Sequence, residues 1–109
     1  MAYSESLARR IRQVLAQRRG ITEKKMFGGV CFLLNGNMCV GIWKTFLIVR
    51  LGPEGAAAAL EEFNVVEFDI TGRPMKGWIM VEPDGLETDE QLGRWVQWAV
   101  EFVGELPKK

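Results

Sequence analysis

The stretch KKMFGGVCFLLNGNMCVGIW, from Lys24 to Trp43, carries the strongest signal for the fold of this chain. Its Asn35-Gly36 pair is typical of a two-residue hairpin turn, because both central residues of a type I′ turn need a positive φ. Runs rich in β-favouring apolar residues flank the pair on both sides. We therefore predict two antiparallel strands joined at this turn. The register pairs Leu34 with Asn37, Phe32 with Cys39, and Cys31 with Val40.

The hairpin also decides whether Cys31 and Cys39 can form a disulfide. Side chains alternate across a sheet, so this register makes the two thiols project from opposite faces. A three-residue loop, Asn35-Gly36-Asn37, would put them on one face but diagonally, too far apart for a comfortable bridge. Both registers predict two unbridged cysteines that are buried or half-buried.

Gly28-Gly29 precedes the first strand of the hairpin. A phosphate-binding loop would place its glycines between a strand and a helix N-terminus, as in the GxxxxGK[ST] pattern. Here a strand follows the glycines, so we interpret the pair as a strand irregularity. The missing side chains would permit a bulge or a close approach of two backbones.

Three helices are predicted outside the hairpin. The first, Ser4 to Arg19, has apolar residues at spacings of three and four, with its first residue as N-cap and Gly20 ending it. The second begins at Gly52-Pro53-Glu54, where proline suits the first helical turn. The third begins at Thr88, and Gln91 three residues later completes a capping box.

Three further strands follow from apolar runs, at Phe46–Leu51, Val65–Ile70 and Trp78–Glu82. The second of these alternates, which predicts one wet face. The order is α-β-β-β-α-β-β-α, and consecutive strands with tight turns form an antiparallel meander. We therefore predict one α+β domain over residues 1–109, with two layers and a mainly antiparallel five-stranded sheet covered on one face by helices.

The composition excludes several kinds of active site. The chain of 109 residues has no histidine, which removes Ser-His and Cys-His nucleophile pairs and the commonest metal ligand. Its two cysteines cannot supply a four-ligand zinc site, and no paired-carboxylate signature for acid–base catalysis stands out. We predict a protein that is not an enzyme and uses no metal or cofactor. With no apolar run near ~20 residues and no export signal, we also predict a cytoplasmic protein without membrane contact.

Charge is distributed unevenly although the net charge is zero. Residues 1–50 hold nine Lys/Arg and two Asp/Glu, and residues 51–109 hold five and twelve. Such asymmetry can mark a nucleic-acid surface, here the basic stretch from Arg9 to Lys25. It can equally mean that the two halves face each other, or that two subunits do.

Three segments of the chain resemble the TfoX N-terminal-domain family (TfoX/Sxy). They are TEKKMFGGVCFLLNGNMCVGI, LIVRLGPE and DITGRPMKGWIMVEPDGLETDEQLGRWV. The most specific piece is a basic residue followed by Met26-Phe27-Gly28-Gly29 and a Gly-containing hairpin. The resemblance runs from about Tyr3 to Leu106, nearly the whole chain.

The resemblance implies an α+β fold similar to that of secretion chaperones, and a regulatory or protein-interaction role. Full-length TfoX proteins regulate natural competence in bacteria and add a C-terminal helical domain that resembles DNA-binding units. We expect a standalone N-terminal domain without that second domain, so its nucleic-acid role does not transfer.

Two clusters are candidates for an interaction surface. One combines Lys24, Lys25 and Arg50 with the helix arginines, and the other is the loop from Arg73 to Trp78, which mixes cations, proline and an aromatic. Alternatively, the arginines are a solvated helix face and Trp78 packs down from an ordinary turn. The partner would be a protein, with a homodimer as one alternative and nucleic acid as another. The candidate residues are Lys24, Lys25, Met26, Phe27, Gly28, Gly29, Arg50, Arg73, Pro74, Met75, Lys76 and Trp78.

Overall fold

A six-stranded antiparallel sheet with helices against one face forms the described part of the chain, which covers residues 3–26, 28–69, 72 and 75–108 of a computed structural model. The strands are β1 Ile21–Met26, β2 Gly29–Leu34, β3 Asn37–Trp43, β4 Phe46–Arg50, β5 Val65–Glu67 and β6 Trp78–Val81, in the order β1-β2-β3-β4-β6-β5. The α-helices of these residues are α1 Glu5–Val14, α2 Gly52–Ala59 and α3 Asp89–Val103, with a short 3₁₀ turn at Pro83–Gly85. The predicted α+β class and antiparallel sheet are confirmed.

The predicted number of strands is wrong, because β1 was missed. Its sequence, ITEKKM, is half charged and lacks the apolar run by which the other strands were recognised. β1 lies at the edge of the sheet and pairs only with β2. Charged side chains suit such an edge because they oppose pairing with a strand of another molecule.

Two element boundaries also differ from the prediction by more than one residue. Helix α1 has Leu15 as its C-cap rather than continuing to Arg19. Gly20 does take a left-handed φ of 82°, but there it leads into β1, and its carbonyl accepts a hydrogen bond from the Asn35 amide at 2.9 Å. Strand β5 ends at Glu67, whereas Val65–Ile70 was predicted, and Ile70 lies outside the described residues.

The hairpin turn at Asn35-Gly36 is confirmed, with φ values of 53° and 85°. The pairing of Leu34 with Asn37 is also as predicted. A bulge after Phe32 then shifts the register by one residue on β3, so that Phe32 lies opposite Val40 and Cys31 opposite Gly41. The predicted pairs of Phe32 with Cys39 and of Cys31 with Val40 are therefore wrong, because sequence patterns do not reveal a bulge.

The main core fills the space between the sheet and the helices. Alternate residues of β2, β3, β4 and β6 point into it and meet the apolar stripes of α1 and α3. Both predicted N-caps form: the Leu7 amide donates to Ser4 Oγ at 3.2 Å, and Thr88 and Gln91 make a capping box. The apolar stripe of α3 is buried at Leu92, Trp95, Val96, Ala99 and Val103, and the side chains of Phe102 and Leu106 are partly buried.

The two cysteines are unbridged and buried, as predicted. Cys39 belongs to the main core, whereas Cys31 alternates with core-facing Val30 and Phe32 and so points to the other face. The opposite-face prediction thus holds, although the bulge changed the pairs that led to it. Burial raises the pKa of the Cys31 thiol and raises that of Cys39 to about 12.

None of the helices in the described ranges is long and apolar enough to span a bilayer. The same ranges hold no group of three Cys, Asp or Glu side chains arranged to bind a metal ion.

A substitution at Gly29 tests the close approach of the β2 and β3 backbones. A Cβ at Gly29 would lie 2.0 Å from the Ile42 carbonyl oxygen, whereas one at Gly93 in α3 would meet nothing within 4 Å. We expect Gly29→Ala to lower the free energy of unfolding by about 2 kcal/mol or more, because backbone must move. The matched Gly93→Ala should raise it by about 0.5–1 kcal/mol through helix propensity. Urea unfolding of both variants measures this, and equal effects would contradict the packing described.

The raised thiol pKa values predict unreactive cysteines. A raised pKa leaves little thiolate at pH 8, and the thiolate is the nucleophile. Both cysteines should therefore react with a disulfide reagent such as DTNB only after unfolding in guanidinium. Rapid modification of either thiol in the native protein would contradict the burial described for the hairpin.

Candidate interaction surface

The sheet has a second apolar face, opposite the helices, which we call the open face. Ile48, Phe68 and Met80 form a small buried cluster there, only 5–8% exposed. Four half-buried side chains pack around them. We call the whole set the aromatic cluster: Met38, Trp43, Phe46, Ile48, Phe68, Trp78 and Met80.

Strand pairing assembles this cluster from three strands and a loop. Trp43 pairs with Phe46 across β3 and β4, and their rings stack at 6.1 Å. Ile48 pairs with Met80 across β4 and β6. Phe68, just after β5, meets the Trp78 ring at 5.8 Å. The cluster therefore depends on long-range contacts between β4 and β6.

Two cations lie against the tryptophans of the cluster. The Lys44 ammonium is 4.6 Å from the Trp43 ring centroid, and the Arg50 guanidinium carbon is 5.2 Å from that of Trp78. Arg50 also donates a hydrogen bond to the Met38 carbonyl at 3.4 Å. Within the described residues, no carboxylate forms a salt bridge with Lys44 or Arg50. The Lys44 ammonium and the Arg50 guanidinium are therefore positioned over aromatic rings and can still pair with an anion.

The predicted clusters are brought together only in part. Arg50 and Trp78 are paired neighbours on β4 and β6. Lys24 is on the open face too, since it pairs with Cys31, but it lies three strand spacings from Arg50, about 14 Å. Lys25 alternates with Lys24 and therefore points to the helix side.

The remaining candidates lie in the connections. Gly28 makes the turn between β1 and β2 with a φ of 75°, and Met26 ends β1. Met75 and Lys76 are exposed between β5 and β6, and the Met75 amide donates to the Phe68 carbonyl at 3.0 Å. Phe27, Arg73 and Pro74 lie outside the described residues.

Most of the aromatic cluster was not predicted as a site. Of its members only Trp78 is among the predicted candidates. A signal was present in CVGIW and FLIV, where consecutive residues are apolar. In an antiparallel sheet such runs indicate strands with apolar residues on both faces.

The helices form a separate groove of about 470 Å³ between α2 and α3. Three carboxylates border it, from Glu54, Glu101 and Glu105, and all three are exposed. Its aromatic wall includes Trp98, which stacks on Trp95 at 5.6 Å. The described lining contains no Lys, Arg, Cys or Ser, and solvated carboxylates alone do not resemble a tuned acid–base pair. The Trp98 side chain is partly buried and packs against the main core.

The basic and acidic halves meet at Arg10, whereas Arg12 pairs with an acid of its own half. Arg10 forms a salt bridge with Asp89 at 3.4 Å and donates a hydrogen bond to the Leu86 carbonyl at 2.7 Å. Arg12 makes two hydrogen bonds to Glu23 at 2.8 and 2.9 Å, and this guanidinium lowers the pKa of the Glu23 carboxyl. Part of the basic stretch from Arg9 to Lys25 is therefore neutralised inside the molecule.

Comparison with known proteins adds the family. Residues 13–103 match the family described as TfoX N-terminal domain. The match spans all six strands and the whole of α3. No curated protein and no solved structure matches the chain. Because the match covers most of its 109 residues, the chain belongs to the TfoX N-terminal domain family.

Proposed function

We propose that this chain is a single regulatory domain of the bacterial cytoplasm that acts by binding another protein and catalyses no reaction. Its family supports regulation, and natural competence is the process we propose for it. The observation that carries the proposal is the aromatic cluster, whose rim is only partly buried, on a sheet face against which α1, α2 and α3 do not pack.

The chemistry of this face suits a protein partner. Interfaces concentrate aromatic residues, Met and Arg at their centre, and Trp and Arg are the side chains that most often dominate binding energy. Here Trp43, Trp78 and Arg50 are all half-buried and held by their neighbours. A partner would therefore lose little side-chain entropy when it binds them.

Nucleic acid fits the same face less well. Single-stranded nucleic acid binds by stacking bases on exposed aromatic rings. Each tryptophan of the aromatic cluster already contacts one cation and one further ring, with Phe46 stacked on Trp43 and Phe68 tilted against Trp78. A stacking base would compete with these contacts.

Capture from a cell lysate tests the proposal. We expect Trp43→Ser on the full chain to reduce capture of the partner at least tenfold, about 1.4 kcal/mol, because it removes a central anchor. Phe63→Ser is the matched control, since Phe63 is 94% exposed and lies in the turn before β5, outside the aromatic cluster. It should leave capture unchanged.

Circular dichroism and thermal unfolding should show that both variants fold. A folded Trp43→Ser variant that captures the same protein equally well would contradict the proposal. A random DNA duplex provides the other arm of the test. If the chain binds the duplex tightly at about 50 mM salt and the binding weakens steeply as salt rises, a nucleic-acid role would replace the proposed protein-binding role.

A further inference from the structure

Two cations lie at opposite ends of the aromatic cluster. Phe46, Ile48 and Arg50 point from the same side of β4, and the first and last are four positions apart, about 13 Å. Lys44 lies beyond Phe46 in the β3–β4 turn, with its ammonium over Trp43. The two cationic groups are therefore about 13–16 Å apart along the strand direction.

Among the described residues that strand alternation places on the open face, the charges are mainly positive. Lys24, Lys44 and Arg50 supply three charges, and Glu82, which follows Met80 by two residues at the end of β6, supplies one carboxylate. Two copies of this face placed together would bring like charges together, which is unfavourable at an interface. The charge thus favours an acidic partner over a second copy.

A helix is the element that fits the dimensions of this site. A helix about 10 Å wide covers two strands about 4.8 Å apart. A length of 13–16 Å corresponds to about 9–11 residues of helix, or three turns. Strand addition would instead use the sheet edges at β1 or β5, away from the aromatic cluster.

We infer, building on the proposed function, that the partner presents an acidic amphipathic helix of about three turns. Its apolar side lies on the aromatic cluster along β3 and β4. Two carboxylates on that side, about eleven residues apart, pair with Lys44 and Arg50. The Arg50 guanidinium has five N–H donors, so it can bind a carboxylate while it stays over Trp78.

Two designed helical peptides of about fifteen residues test the inference. They share one apolar stripe and differ only in Glu or Lys at two positions eleven residues apart. We expect the Glu peptide to bind the full chain at least tenfold more tightly, measured by fluorescence anisotropy. The double variant Lys44→Glu/Arg50→Glu should reverse this preference. The control Arg9→Glu, on an exposed position of α1, should not.

Equal affinities, or no binding of either peptide up to about 1 mM, would overturn the inference. So would a lysate partner whose capture needs Trp43 but is unaffected by the double charge reversal. In that case the proposed function would stand, and only the inference that the partner presents an acidic helix would be wrong. If the double reversal instead changes the mass of the protein in light scattering, a second copy occupies the face, and the inference is again overturned.

Discussion

Strands β3 and β4 carry apolar side chains on both faces, while the helices bury only one of them. The arrangement of side chains on both faces of the sheet follows from this imbalance. On the helix side Val40, Ile42, Leu47 and Val49 are almost completely buried. On the other side the molecule covers its apolar surface only in part, by stacking aromatic rings on one another and placing cations over them. What remains exposed there lies beside the charges of Lys44 and Arg50.

Local chemistry explains which elements could be predicted from the sequence. The Asn-Gly turn and the Thr88 capping box are each specified by residues within four positions of one another, and both form. Strand β1 was missed because its own sequence lacks an apolar run. It is held by pairing with β2 and by the contact between Glu23 and Arg12. The bulge after Phe32 is a property of two paired strands, so neither strand alone reveals it.

The candidate interaction surface could likewise be predicted only in part from the sequence. Arg50 and Trp78 were both expected at an interface, but their contact arises because β4 and β6 are neighbours in the sheet although α2 and β5 separate them in sequence. The sequence does not mark Met38, Phe46 and Met80 as site residues, since a sequence pattern shows that a strand is apolar on both faces but not which face the helices cover. That choice is made by the three helices together, through the apolar stripes that pack on the sheet.

NMR measurement of solvent accessibility is the direct test of whether the open face of the sheet is uncovered. A soluble paramagnetic agent broadens the signals of protons that it can approach, so the two faces of the sheet should respond differently. We expect strong broadening of the Met38 methyl and of the indole N–H protons of Trp43 and Trp78. The methyl groups of Ile79 and Leu92, on the helix side, should be almost unaffected. Equal protection of both sets would show that the open face is covered and would contradict the account.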